Sequence, residues 1–68
     1  MNEETLNLSI RKFLKTVGVN SQREIEHAVA KAMATETLEG GKPLLATMTL
    51  EIPGLRLIVK FDGEISID

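Results

Sequence analysis

The spacing of apolar residues changes at Gly40-Gly41, and no other feature constrains the fold as much. Before the glycine pair, apolar residues recur in steps of three and four. After it, they recur at every second position. The first pattern is the period of a helix with one apolar stripe, and the second is the period of a strand with one apolar face. A chain written in that order builds helix first and sheet second.

The helical part divides into two by its local signals. Leu6, Ile10, Phe13, Leu14 and Val17 predict a helix over about residues 3–17. Asn2 suits its N-cap, and Glu3 and Glu4 suit the positive end of its dipole. Gly18 suits a left-handed C-terminal cap. Ser21-Gln22-Arg23-Glu24 has the form of a capping box, which predicts a second helix over about residues 22–36. Its stripe is Ile25, Ala28, Val29, Ala32 and Met33, and its end falls between Ala34 and Leu38. Val19, in the short connection, is expected to pack between the helices.

The second part predicts strands at about 45–52, 55–61 and 64–68. A two-residue turn at Pro53-Gly54 pairs Ile52 with Leu55, Leu50 with Leu57 and Met48 with Val59. It also sets Glu51 against Arg56. At Asp62-Gly63 a two-residue turn would put Ile65 and Ile67 on the wrong face, since a one-residue slip inverts a strand. A three-residue loop with Gly63 in a bulge restores the parity. It pairs Lys60 with Glu64, Val59 with Ile65 and Leu57 with Ile67. The expected fold is therefore α+β, ααβββ. Two N-terminal helices pack on one face of a three-stranded antiparallel meander, as a single domain over 1–68.

Size limits what such a domain can bury. With 68 residues and no cysteine, it has one small core and no disulfide to support it. A hydrophobic fraction of 43% suits a globular chain rather than a disordered one. The net charge of −2 gives no global field toward nucleic acid or an anionic membrane. No apolar run approaches the ~20 residues of a membrane span. The acidic start Met1-Asn2-Glu3-Glu4 argues against a secretory signal, and a cytoplasmic protein is the simplest expectation.

Few residues suggest chemistry. His27, the single histidine, lies about 200° around its helix from Ile25, on the face away from the stripe. It lacks the positioned partners that a general base or a metal ligand needs. No serine sits in a G-x-S-x-G context, and Gly40-Gly41-Lys42-Pro43 lacks the residues of a phosphate loop. No catalytic, cofactor-binding or metal-binding residue is assigned.

Two interaction readings remain. Leu8 and Ile58 fall on faces expected to be wet, and the 44–52 strand carries few charges to block edge pairing. They suggest a non-enzymatic interaction or structural domain that forms a homodimer or binds a protein partner. The alternative is a nucleic-acid-binding regulator. Two helices joined at Gly18 have the form of a helix-turn-helix, with Arg11, Lys12, Lys15 and Arg23 as contacts. Arg23, His27 and Lys31 also make a basic stripe. Residues 1–38 hold five basic and five acidic side chains, and that balance counts against the alternative. A small enzyme ranks third.

Ser9-Ile10-Arg11-Lys12-Phe13-Leu14-Lys15, Val17-Gly18-Val19, Ser21-Gln22-Arg23-Glu24-Ile25-Glu26 and Phe61-Asp62-Gly63-Glu64-Ile65 together carry a resemblance. The chain resembles a family of short uncharacterised bacterial proteins, a domain of unknown function, over nearly its whole length. The resemblance implies a complete small bacterial protein. It brings no catalytic motif, cofactor or partner with it.

Overall fold

The computed structural model describes residues 1–68 as two compact units, Met1–Leu38 and Glu39–Asp68. The first contains one helix, α1 (Glu3–Ala34). The second is a hairpin of β1 (Leu44–Ile52) and β2 (Leu57–Ile65), joined through a 3-10 turn at Pro53–Leu55. The class is α+β, but the elements are αββ. The expected pair of helices is one helix, and the expected three strands are two. The expected ααβββ layering falls with those counts.

α1 runs for 32 residues, about 48 Å at 1.5 Å per residue. It passes through Gly18 and Ser21 without a break, although the centre of the second expected stripe lies about 80° around the helix from that of the first. A mid-helix glycine costs only about 0.5–1 kcal/mol against alanine. That is too little to outweigh the backbone bonds that continuity preserves. Ser21 is therefore an interior residue and caps nothing, and Val19 is an exposed position on α1 rather than a connector.

The start of α1 matches its reading. Asn2 is the N-cap, and its side-chain oxygen accepts from the Thr5 amide at 3.0 Å. The end comes before the glycine pair. Glu36 takes a left-handed conformation, φ 55°. The Thr37 amide then donates to the Ala32 carbonyl at 2.9 Å, and the Glu36 amide to that of Met33 at 3.2 Å. These are the two bonds of a Schellman motif, made with glutamate where glycine is usual.

An added methyl group at Gly18 would meet no atom within 4 Å, and the backbone there is helical. Gly18→Ala is expected to stabilise α1 by about 0.5–1 kcal/mol, mainly by restricting the unfolded chain. Urea unfolding followed by helical circular dichroism measures it. An unchanged or lower midpoint would contradict the open surroundings of Gly18.

The hairpin corrects the expected register. Ile52 pairs with Leu57, Leu50 with Val59 and Met48 with Phe61. Two-residue hairpin loops need positive φ at their first central residue, and proline fixes φ near −65°. Pro53 therefore opens a four-residue connection, in which the Arg56 amide donates to the Pro53 carbonyl at 3.0 Å. Arg56 takes the left-handed conformation, φ 54°. The loop is two residues longer than expected, so every side chain keeps its face while its partner changes. Glu51 opposes Ile58 rather than Arg56.

There is no turn at Asp62-Gly63 and no bulge at Gly63. Both residues lie inside β2, Asp62 opposite Thr47 and Gly63 opposite Ala46. The Thr47 hydroxyl donates to the Asp62 carboxylate at 2.8 Å. The bulge was needed only to correct the parity of a third strand. In one long β2, Leu57, Val59, Phe61, Gly63 and Ile65 keep a single parity, and nothing needs correcting. Lys60 opposes Thr49, and Glu64 opposes Leu45. Ile67 lies beyond the strand.

Candidate interaction surfaces

Opposed residues of an antiparallel pair share a face, so the register sorts the hairpin completely. One face carries Leu44, Ala46, Met48, Leu50 and Ile52 from β1. From β2 it carries Leu57, Val59, Phe61, Gly63 and Ile65. Every one is apolar or glycine. The other face carries Leu45, Thr47, Thr49 and Glu51 against Ile58, Lys60, Asp62 and Glu64. α1 has the same division along its length. Leu6, Ile10, Phe13, Leu14 and Val17 lie on the side continued by Ser21, Ile25, Ala28 and Ala32.

None of these apolar side chains is buried. Phe61 is 57% exposed and Phe13 54%. A lone helix and a two-stranded ribbon have no second layer within themselves against which to pack, and stable domains need one.

The two residues singled out from the sequence are both exposed. Leu8 lies on α1 on the side away from the stripe, and Val19 shares its angular position eleven residues later. Ile58 lies on the polar face of the hairpin, opposite Glu51. Leu45, the most exposed apolar residue of the strands at 82%, was missed. Its signal was present, because its parity is that of Thr47, Thr49 and Glu51 rather than that of Leu44. Leu45 and Glu51 are six residues apart, so Leu45 and Ile58 stand about 20 Å from each other and form no patch.

The basic residues change meaning on a continuous helix. Arg11, Lys12, Lys15 and Arg23 share an arc of about 120° on α1. Glu4 and Glu26 fall within the same arc. Without a turn before Ser21 there is no recognition helix to begin there, so the helix-turn-helix geometry is absent. His27 and Lys31 are exposed on the same helix.

No group of three or more histidine, aspartate or glutamate side chains is placed to hold a metal ion. An open depression of about 210 Å³ lies at the unlooped end of the hairpin, lined by Gly41, Lys42, Pro43, Glu64, Ser66, Ile67 and Asp68. It is smaller than the ~300–1,000 Å³ of typical ligand pockets. The Gly41 amide there already donates to the Asp68 carboxylate. No helix is long and apolar enough to cross a membrane.

Residues 1–68, the whole chain, match the family model described as a family of unknown function, DUF6494. No curated protein and no solved structure matches the chain.

Proposed function

The chain belongs to the DUF6494 family, whose function is unknown, and we propose that it is a non-enzymatic interaction domain that associates with a second copy of itself. The observation that carries this reading is the hairpin face from Leu44 to Ile65, uniformly apolar and nowhere buried. An isolated two-stranded hairpin is marginal in water, and three or more strands or a packed layer are needed for stability. A hairpin with so complete an apolar face calls for further strands or a packed layer. A homodimer supplies further strands without requiring a second gene product, and two-fold pairing is the commonest form of oligomer.

The same reading takes the protein to be bacterial and cytoplasmic, on the composition and the resemblance given above. Leu8 on α1 and Ile58 on the hairpin remain candidate contacts for that association, since each is exposed.

Size-exclusion chromatography with light scattering tests the proposal. A mass near twice 7.5 kDa is expected at tens of micromolar, falling toward the single-chain mass on dilution. A single-chain mass at high micromolar concentration would reject it.

A further inference from the structure

We infer that two copies pair through the outer edge of β1, antiparallel about a two-fold axis at Met48, to form a four-stranded sheet in the order β2–β1–β1′–β2′. This inference rests on the self-association reading and names the strand edge through which it occurs.

Both strands of the hairpin are edge strands, because the sheet has only two. The two edges are unlike. β2 carries Lys60, Asp62 and Glu64, and charges of this kind block a strand from pairing further. β1 carries only Glu51 in nine residues. Strand addition by a second copy is therefore directed to β1. It gives four strands where the single chain has two.

The sequence of β1 fits a copy of itself. Its apolar residues alternate symmetrically about Met48. In the antiparallel register centred there, Leu44 meets Ile52′, Ala46 meets Leu50′ and Met48 meets Met48′, all on the apolar face. On the other face Thr47 meets Thr49′ and Leu45 meets Glu51′. Threonine pairs across strands are favourable, and no like charges are opposed. The two Glu51 carboxylates stand about 20 Å apart along the strands. The outward backbone groups of an antiparallel edge recur at every second residue. A register that matches the faces therefore also matches donors to acceptors. A one-residue slip would set the apolar face of one copy beside the polar face of the other. A two-residue slip keeps the faces but gives up overlap, so the axis at Met48 pairs all nine residues.

The chain has no cysteine, so single substitutions can read the axis directly. At the axis, Met48→Cys places two thiols on residues whose Cα atoms are about 4.5–5.5 Å apart, within disulfide range. Leu45→Cys places its thiols about 20 Å apart. Leu45 is nevertheless the more exposed, 82% against 46% for Met48, so random collision would favour it. Under mild oxidation, Met48→Cys is expected to cross-link at least ten-fold faster than Leu45→Cys. An equal mixture of Thr47→Cys and Thr49→Cys chains is expected to cross-link between unlike chains, which repeats the test on the polar face. Equal or faster cross-linking of Leu45→Cys, with a dimer by light scattering, rejects this edge and leaves self-association standing. A single-chain mass at high micromolar concentration rejects both.

Discussion

Gln22→Pro is expected to destabilise α1 by about 3 kcal/mol or more and to remove at least roughly one turn of helix from the circular dichroism signal. In a continuous helix the amide of residue 22 bonds to the carbonyl of residue 18, and the proline ring both removes that bond and collides with that carbonyl. The substitution separates the two readings of this region. Were Ser21 the N-cap of a second helix, residue 22 would be its first helical position, where proline is favoured. Gln22→Pro would then leave helix content unchanged. Glu3→Pro supplies the control, because Asn2 is the N-cap and Glu3 is the first helical residue. It is expected to be close to neutral. Equal effects from the two prolines would overturn the single-helix structure.

The misreading at Ser21 has a physical source. A capping box records which bonds a serine and a glutamate can make if the helix starts there, but not whether it starts there. The backbone bonds that a continuous helix keeps decide that, and the cost of a helical Gly18 is small beside them. The hairpin shows the same imbalance. Alternation was legible and placed Thr47 to Ile52 of β1, and Leu57 to Lys60 with Glu64 and Ile65 of β2, on their observed faces. The turns were not legible from dipeptides. Pro53 has the wrong φ for the short loop assigned to it, and Asp62-Gly63 is drawn into β2 by unbroken parity and by Thr47.

The surfaces were legible in part for a related reason. Leu8 and Ile58 stand out singly against polar neighbours, so sequence alone shows that they lie on wet faces. The larger signal is collective. Expecting a second helix and a third strand supplied layers that would have buried the stripe of α1 and the apolar face of the hairpin. With one helix and two strands, none of the same residues is buried. A different element count thus also changes which surface is the candidate interface.

Leu50→Asp is expected to raise the dissociation constant of the dimer at least a hundred-fold, about 3 kcal/mol. Leu50 lies on the apolar face opposite Val59, and in the β1–β1′ pairing it faces Ala46′. In that pairing the dimer loses two Leu50–Ala46′ cross-strand contacts, and each aspartate adds an unpaired carboxylate beside apolar neighbours. Ile58→Asp changes the polar face, where Lys60 lies two residues along β2, and is expected to shift the constant by less than ten-fold. Sedimentation or light scattering across a dilution series reads both. Circular dichroism confirms that α1, a separate unit, keeps its helix in each variant. A greater loss from Ile58→Asp would move the interface to the polar face. No loss from Leu50→Asp would mean that Leu50 does not lie at a β1–β1′ contact.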